Sequence, residues 1–318
     1  MIISKTPFRI SFVGGGTDNL KKQNFTGYVV STTINKFIYV GINKKFDNKI
    51  RFSYSKTENV NNYKNLKHEM LRETFKYFKI KNGLEIISVG DIPSSGSGLG
   101  SSSSFLVGLI NCINVIKKLN LSIKKIAEIA CHIEIKILKK PIGMQDQYSA
   151  AFGGFNHMIF NKNKVRIKKL IIPKKRLNKL EKNLFLFYSN LSRKSKKILS
   201  KVKKNNNNST LKKISKLTKK FIEELKYGNL DNIGKILHEG WNLKKGLSSG
   251  TTNISLNKMY NFAIKSGANG GKLLGAGGGG FFLFYVPRNK QQIFIKKMKK
   301  YKKVDFKFYN KKPTILKI

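Results

Sequence analysis

Cysteine, histidine and long apolar runs are scarce in this chain of 318 residues. Its two cysteines, Cys112 and Cys131, lie in apolar stretches with helical spacing, and its four histidines are scattered. Neither a disulfide framework nor a zinc-ligand pattern can be assembled from them. No apolar run approaches the roughly 18 residues that span a bilayer, and the first residues alternate like a strand instead of forming a signal peptide. We therefore predict a cytoplasmic protein with reduced core thiols and no membrane partner.

Acidic side chains are also few, because 16 Asp and Glu stand against 64 Lys and Arg and leave a formal net charge of +48. A field of that size attracts phosphate polymers and raises the hypothesis of a nucleic-acid-binding protein. Only seven of the basic residues are Arg, the residue that bidentate phosphate recognition favours. Since Lys and Asn are in excess along the whole chain, we interpret the charge as a general bias in residue usage and predict no specific nucleic-acid partner.

Hydrophobic residues make up 40% of the chain and aromatic residues 11%, which is enough to build globular cores. The first third is rich in alternating apolar residues, whereas the second half alternates strand and helix patterns. The predicted strands of the first third are 2–13, 28–42 and 84–90. These patterns predict an α+β fold with two domains. We place the domains at 1–170 and 171–318, because the Lys-rich stretch 162–176 separates the two patterns.

A segment rich in serine and glycine, Pro93–Ser104, lies between a predicted buried strand and a predicted buried helix. Its three alternating glycines permit positive φ and a close backbone approach directly before the helix start. The first N–H groups and the positive dipole end of a helix bind anions, and the following serines add hydroxyl donors or a magnesium ligand. We therefore predict a phosphate cradle instead of a flexible linker, although the segment is neither a Walker A loop nor a GxGxxG motif. The candidate phosphate-binding residues are Gly96, Ser97, Gly98, Leu99, Gly100, Ser101, Ser102 and Ser103.

Two further glycine-rich segments lie towards the two ends of the chain. Phe12–Asp18 ends a strand with three glycines, a hydroxyl and a carboxylate, which suits hydrogen bonding to vicinal sugar hydroxyls. Asp18 could also be a helix N-cap or a turn residue. Gly267–Gly280 precedes a strand and is predicted as a turn, which on its own could be a tight connection. The candidate substrate-binding residues of the two segments are Gly15, Gly16, Thr17, Asp18, Gly277 and Gly278.

Two carboxylates stand out because acidic residues are so rare. Glu134 lies late in a helix predicted over 122–138, and Asp146 follows 12 positions later in a predicted turn, Gly143–Gln147. The fold could bring both to one site, where one holds Mg²⁺ on phosphates and the other accepts a hydroxyl proton. The alternative is a pair of ordinary surface charges.

The three segments, in this order, resemble the three motifs of the GHMP kinases, a family of small-molecule kinases. The resemblance implies a first domain similar to the second domain of ribosomal protein S5, a ferredoxin-like second domain, and a cleft between them where ATP and the substrate meet. It implies that Asp146 and Arg9 are catalytic and that Gly96 to Ser103 wrap the ATP phosphates. It also implies that Glu134 binds Mg²⁺ together with a serine of the loop, Ser101 or Ser102. Phosphoryl transfer depends on positioning and charge neutralisation more than on covalent chemistry, which fits this set of residues.

Within the family, three stretches resemble the branch that phosphorylates heptose 7-phosphates: TPFRISFVGGGTD, GMQDQYSAAFGGFN and GGKLLGAGGGGFFLFYV. This resemblance implies transfer from ATP to the anomeric hydroxyl of D-glycero-D-manno-heptose 7-phosphate, which gives the 1,7-bisphosphate. The distal phosphate of such a substrate needs a cation. The candidates are Lys5, Lys244, Lys245 and Arg193.

Two alternatives stay open. The first is a kinase of a free sugar such as fucose, galactose or arabinose on the same fold. The second is an RNA-binding protein with an S5-like fold, which predicts basic residues interleaved with exposed aromatic residues on one face. The aromatic runs FFLFY and FLFY instead predict core strands. The sequence leaves a homodimer open as well.

Overall fold

The computed structural model describes residues 1–19, 25–93, 96–162, 164–191 and 208–318. Within these ranges the chain forms two β-sheets with helices packed against them. The first sheet has eight strands and the second has four. No helix of the described ranges is long and apolar enough to cross a membrane. The cytoplasmic location stays a prediction.

The first sheet is built around two long antiparallel strands, β1 (Ile2–Val13) and β2 (Gly27–Lys44). Its other strands are β3 (Ile50–Ser53), β4 (Thr57–Val60), β5 (Leu84–Gly90), β6 (Asn156–Phe160), β7 (Val165–Lys169) and β12 (Thr314–Lys317). The order is β12-β1-β2-β5-β3-β4, with β6 paired to β2 and β7 to β6. Of these pairings only β3 with β5 is parallel.

Helix α2 (Ser101–Ile116) packs against β1 and β2. The contact is close at Gly108, where the hydroxyls of Ser4 and Thr6 lie within reach of any added Cβ. The other helices of this half are α1 (Glu69–Tyr77), α3 (Ile123–Cys131) and α4 (Gln145–Phe152). Helix α3 continues into a π-helical segment, His132–Ile137, where a single α-helix was predicted.

Four short strands form the second sheet: β8 (Leu184–Tyr188), β9 (Gly270–Leu273), β10 (Phe281–Tyr285) and β11 (Lys303–Val304). The sheet runs β11-β8-β10-β9, and every pairing is antiparallel. With helices between β8 and β9 and between β10 and β11, this is the ferredoxin-like βαββαβ pattern that was predicted. Strand β9 corrects the prediction of a turn over the whole of 267–280.

The second half contributes five described helices and shares an apolar core with the first. The helices are α5 (Lys174–Lys182), α6 (Asn208–Lys226), α7 (Asp231–Lys245), α8 (Ile254–Lys265) and α9 (Gln291–Met298). Phe221 of α6 stacks on Phe12 of β1 with ring centroids 5.0 Å apart, and both rings are buried. A second core lies between the second sheet and its helices, where Trp241 packs edge-on against Phe282.

The last strand of the chain, β12, returns to the first sheet and pairs with β1, so that Lys317 lies opposite Ile2. Phe308 forms a further bridge to Ile34 of β2. The end of the chain therefore packs with the first half, although the predicted second domain includes it. The boundary at residue 170 itself stays a prediction.

Both cysteines are free and buried, as the sequence predicted. Burial raises the pKa of the Cys112 thiol to about 12, and its sulfur lies 3.2 Å from the carbonyl oxygen of Val40. A thiol with such a pKa stays protonated at neutral pH, so Cys112 is a packing group and not a nucleophile.

Candidate active site

The glycine-rich loop at 96–100 makes a tight turn directly before α2. Gly96, Gly98 and Gly100 have φ values of 71°, 82° and 76°, in the left-handed region that glycine adopts without a steric penalty. Gly98 also lies against Leu274, and a Cβ at 98 would be 2.5 Å from the carbonyl oxygen of that residue. The backbone conformation and this contact therefore both require glycine at 98.

The N-cap residue of helix α2 has no side chain that could cap the helix. Its N-cap residue is Gly100, and no side-chain cap hydrogen bond is made at that described residue. Ser97 closes the loop instead, because its hydroxyl accepts the Leu99 N–H at 3.3 Å and lies 3.3 Å from the Ser101 hydroxyl. A helix start with a glycine N-cap leaves its first N–H groups without a local capping side chain, which suits an anion.

Arg9 of β1 joins this loop to the start of α4. Its Nη1 donates to the carbonyl oxygen of Gly98 at 2.6 Å, while its Nε and Nη2 donate to the two oxygens of Asp146, each at 2.8 Å. The Arg9 side chain is 3% exposed, whereas that of Asp146 is 26% exposed. The guanidinium therefore fixes the plane of a carboxylate that stays accessible. Asp146 lies in the first turn of α4, which corrects the turn predicted for Gly143–Gln147.

Glu134, in the π-helical segment, is fully buried and accepts four hydrogen bonds. The Ser102 hydroxyl and the Lys140 ammonium donate to Oε1 at 2.7 and 2.8 Å. The Ser103 hydroxyl and the Gln147 amide donate to Oε2, each at 2.6 Å. Burial alone would raise the pKa of Glu134, but the charge of Lys140 and these hydrogen bonds hold it below its ordinary value. Glu134 is therefore ionised at neutral pH.

Asp18 is buried beneath the first glycine-rich segment, with 2% exposure. Its Oδ1 accepts the Gly16 N–H at 3.0 Å, and its Oδ2 accepts the N–H of Gln145, the first residue of α4, at 2.9 Å. Gly143 packs so closely that an added Cβ would overlap the carboxylate. Burial raises the pKa of Asp18, and the Gln145 N–H opposes that rise. Asp18 itself lies in a turn, as one of its two structural alternatives predicts, and its role towards a sugar stays a prediction.

The third glycine-rich segment packs against the loop at 96–100, which is called the phosphate loop below because phosphate binding is predicted for it. Phe281 donates its N–H to the carbonyl oxygen of Ser97 at 3.1 Å. Gly278 donates its N–H to the carbonyl oxygen of Thr251 at 2.9 Å, and a Cβ on Gly277 would lie 2.6 Å from the same oxygen. The second half of the chain therefore forms one wall of the candidate site.

Lys272 of β9 reaches the candidate site from this wall. Its Nζ donates to the carbonyl oxygen of Phe12, near the end of β1, at 2.7 Å, and the residue is 7% exposed. Burial, and to a lesser degree the charge of Arg9, lower the pKa of Lys272 to about 7. Lys272 is therefore an amine that titrates near neutral pH at the junction of the two sheets.

The four cations predicted for a distal phosphate fall in different places. Lys244 lies at the third glycine-rich segment, because its Nζ donates to the carbonyl oxygen of Gly275. Lys5 and Lys245 lie over aromatic rings, with Nζ 4.1 and 6.0 Å from the ring centroids. Arg193 lies outside the described residues.

A cavity of about 250 Å³ adjoins the phosphate loop. Its lining residues are Tyr54, Lys67, His68, Glu69, Met70, Leu138 and Lys140. The Met70 sulfur lies 3.8 Å from the Ser102 hydroxyl, and the Lys140 ammonium lies 3.1 Å from that hydroxyl. The cavity and the phosphate loop are therefore neighbours.

The structure thus brings Arg9, Asp146 and the phosphate loop together and joins Glu134 to Ser102. Gly15, Gly16 and Thr17 adjoin them through Asp18, with the Thr17 hydroxyl donating to the carbonyl oxygen of Gly14 at 2.8 Å. The sequence analysis missed the cavity and three side chains, Lys140, Gln147 and Lys272. Lys272 had no usable signal, because it lies in the glycine-rich segment 267–280 that was predicted as a turn.

Comparison with known proteins places this geometry in a family. The GHMP kinases N terminal domain matches residues 64–154, and the GHMP kinases C terminal domain matches 221–303. The D-glycero-alpha-D-manno-heptose 7-phosphate kinase of Campylobacter jejuni is 34% identical over 317 residues, which cover 94% of this chain and 93% of that protein. The chain belongs to the GHMP kinase family.

Other relatives of this GHMP kinase agree in fold. The crystal structure of a D-glycero-D-manno-heptose 1-phosphate kinase from Bacteroides thetaiotaomicron superposes with a TM-score of 0.82 at 24% identity, covering 100% of this chain and 99% of the other. A galactokinase of Pyrococcus furiosus is 25% identical over 91% of this chain and 90% of its own length. The predicted family, the α+β class with two GHMP kinase domains and the phosphotransferase activity are therefore confirmed. The kinase prediction, and not the RNA-binding alternative, is the one that these relatives bear out. The homodimer stays a prediction.

Proposed function

We propose that this GHMP kinase transfers the γ-phosphoryl group of ATP to the anomeric hydroxyl of a sugar phosphate, D-glycero-D-manno-heptose 7-phosphate, to give the 1,7-bisphosphate. The observation that carries the proposal is the Arg9 guanidinium, which bonds both to the partly exposed carboxylate of Asp146 and to the phosphate loop at Gly98. A proton acceptor and a phosphate site joined by one cation are what phosphoryl transfer to a hydroxyl requires. The heptose 7-phosphate kinase relative supports the choice of sugar.

The nucleotide would occupy the cavity and the loop beside it. The side chains of Tyr54, Met70 and Leu138 offer apolar surface for a purine base. The phosphates would then extend to the loop at 96–103, whose glycines allow a close backbone approach and whose helix start favours negative charge. The adjacency of cavity and loop through Met70 and Ser102 supports this placement.

Mg²⁺ belongs to the same proposal. Among the residues that the structure describes, no group of three or more His, Cys, Asp or Glu side chains could hold a metal ion. The ionised Glu134 carboxylate and the Ser102 hydroxyl are nevertheless oxygen donors of the kind that Mg²⁺ combines with nucleotide phosphates. These two residues therefore fit the ion. When bound, Mg²⁺ would neutralise charge on the phosphates.

Asp146 and Arg9 divide the chemical work. Asp146 would accept the proton of the attacking hydroxyl, because each of its oxygens keeps acceptor capacity beyond the bond to Arg9. Arg9 would hold that carboxylate in the orientation for attack and contribute positive charge next to the transferred group. The N–H groups of the phosphate loop would stabilise the charge that develops on the phosphoryl oxygens.

The sugar would lie between the first and third glycine-rich segments. Gly15, Gly16, Thr17, Gly277 and Gly278 remain the proposed backbone contacts, and Asp18 would act either directly or by holding Gly16 and α4 in place. Two lysines of the second half reach these segments and could receive the distal phosphate. They are Lys244 and Lys272.

A coupled assay of ADP release from Mg²⁺-ATP tests the proposal. We expect turnover with the heptose 7-phosphate and at least about 10³-fold lower kcat/KM with free mannose, fucose and galactose, because a buried cation would lose its phosphate partner. Asp146→Asn should abolish turnover and leave ATP binding intact. Turnover on a free sugar alone would refute the heptose 7-phosphate as substrate and support the alternative, a kinase of a free sugar. A folded protein that binds no ATP would refute the proposal.

A further inference from the structure

Lys140 binds to both of the side chains that are assigned above to the metal ion. Its Nζ lies 2.8 Å from Glu134 Oε1 and 3.1 Å from the Ser102 hydroxyl oxygen. Its side chain is 17% exposed, whereas that of Glu134 is fully buried. One ammonium group therefore contacts the same two oxygen atoms that a divalent cation would use.

We propose that Lys140 competes with divalent cations for Glu134 and Ser102, so that the free enzyme binds the metal weakly and accepts it together with the nucleotide. The inference rests on the proposed function, because it takes Glu134 and Ser102 as the metal ligands. It adds a regulatory property of that site: the lysine makes metal binding conditional on ATP.

The hydrogen bonds of Glu134 explain why a cation cannot simply add to it. A carboxylate has about four acceptor positions, and all are used by Ser102, Ser103, Lys140 and Gln147. A new cation must displace one of these four donors. Charge decides which one leaves, since two positive groups on one oxygen repel each other and a hydroxyl or amide next to a cation does not.

The freedom of each side chain to move also indicates that Lys140 is the donor that leaves Glu134. Ser103 is 2% exposed and Gln147 is fully buried, so neither has space to leave. Lys140 has a long flexible stem, is partly exposed and also lines the cavity next to the phosphate loop. Its ammonium can therefore turn from Glu134 towards the phosphates of a bound nucleotide, where it keeps a negative partner.

The ion pair also has a purpose before ATP binds. A buried carboxylate without a positive partner is costly, and Lys140 supplies that partner in the free enzyme. A purely structural ion pair would do the same but would not affect metal binding in the direction expected here. Removing Lys140 would then loosen the Glu134 site and leave its affinity for a divalent cation unchanged or lower.

Titration of the nucleotide-free enzyme with Mn²⁺, followed by electron paramagnetic resonance, tests the competition. We expect Lys140→Met to bind Mn²⁺ about tenfold more tightly than the wild type, because a charged competitor is gone. Lys140→Arg keeps the positive charge and should bind Mn²⁺ as weakly as the wild type. Lys136→Met removes the charge of an exposed lysine in the π-helical segment that contains Glu134, and it should leave Mn²⁺ binding unchanged.

A second titration, with ATP in the presence of EDTA, follows the other half of the exchange. Metal-free ATP should bind Lys140→Met more weakly than the wild type by a factor of about ten, since the nucleotide loses a cationic partner. Lys140→Gln repeats both titrations if circular dichroism shows that Lys140→Met is unfolded. Mn²⁺ binding to the neutral variants that is no tighter than to the wild type would overturn the inference. A wild-type protein that binds neither ATP nor Mn²⁺-ATP would instead overturn the proposed function.

Discussion

Arg9 and Asp146 lie 137 positions apart in the chain, yet two parallel N–H···O bonds of 2.8 Å join their side chains. The remaining nitrogen of the same guanidinium bonds to the carbonyl oxygen of Gly98. A single residue of β1 therefore sets the position of a carboxylate on α4 relative to the phosphate loop. Charge and geometry make separate contributions to this arrangement, and a substitution that keeps only the charge can separate them.

Arg9→Lys keeps the positive charge and loses the paired hydrogen bonds. We expect kcat to fall by about 10²-fold while KM for ATP changes little, because the loss is one of orientation at the reacting atoms. Steady-state kinetics measures both constants. The matched control is Arg51→Lys, since Arg51 pairs with Glu85 at 3.2 Å and is half exposed. The control should behave as the wild type, and an unchanged kcat in Arg9→Lys would show that the paired geometry is dispensable.

Gly98→Ala should weaken ATP binding and lower the melting temperature together. The added methyl would meet the Leu274 carbonyl oxygen, and a φ of 82° is unfavourable for alanine. We expect a loss of about 2 kcal/mol in the free energy of unfolding. Thermal unfolding and calorimetric titration with ATP give the two readouts.

Gly240→Ala is the control for that substitution. Gly240 lies inside α7, and a Cβ there would meet only a Leu217 methyl group at 3.4 Å. Alanine in a helix interior should stabilise the protein by about 0.5–1 kcal/mol without changing ATP binding. If both alanine variants lost ATP affinity alike, the special requirement for glycine at 98 would be excluded.

The long elements of the fold were predictable because their side-chain periodicity is local. The strands predicted over 2–13 and 84–90 are β1 and β5 with the same bounds. The start of α4 was not predictable, because its capping acceptor is Asp18, 127 positions earlier in the chain. Strand β9 was missed for a similar reason. Its four residues carry no clear alternation, and only pairing with β10 defines them as a strand.

The candidate site was likewise predictable only in part. Glu134 and Asp146 were conspicuous because the chain has only 16 acidic residues, and the phosphate loop was conspicuous because of its alternating glycines. Lys140 was hidden among 64 basic residues, where composition gives no contrast. Its place depends on a turn of backbone after the π-helical segment that brings it back to Glu134.

Glu134→Gln should lower the free energy of unfolding at pH 7, and the loss relative to the wild type should be smaller at acidic pH. The variant leaves Lys140 against a neutral amide, for which we expect a loss of about 3 kcal/mol in the free energy of unfolding. The folded-state pKa of Glu134 lies below its ordinary value of 4.5. Its ionised form therefore stabilises the fold above that value, and this stability is lost as the pH falls through the folded-state pKa.

Urea unfolding of the wild type and Glu134→Gln between pH 7 and pH 3 measures this difference. The gap between the two proteins should be constant at neutral pH and should narrow below pH 4.5. Glu128→Gln is the control, because the ion pair of Glu128 with Lys124, at 3.8 Å, is exposed to solvent. It should change the unfolding free energy by less than about 0.5 kcal/mol. A gap that stays constant down to pH 3 would contradict the ionised state assigned to Glu134.

Lys272→Met should gain stability relative to the wild type at neutral pH and lose that advantage as the pH rises. The pKa of Lys272 is about 7 in the folded protein and 10.5 in its ordinary state. Between these two values the unfolded chain holds a proton that the folded protein has released, so the stability of the wild type increases with pH. The increase is at most about 1.4 kcal/mol per pH unit for one proton. Methionine cannot titrate and shows no such increase.

The test therefore compares the free energy of unfolding of the two proteins at each pH, because the pH dependence of either protein alone also contains other effects. Raising the pH also weakens the general repulsion in a chain with a net charge of +48, but that effect is common to both proteins. Lys235→Met, which removes an exposed lysine on α7, controls for the loss of one charge. The difference in unfolding free energy between Lys235→Met and the wild type should stay constant from pH 7 to pH 10. If the difference for Lys272→Met were equally flat, Lys272 would be charged in the folded protein throughout this range, and a negative partner for it would have to be sought.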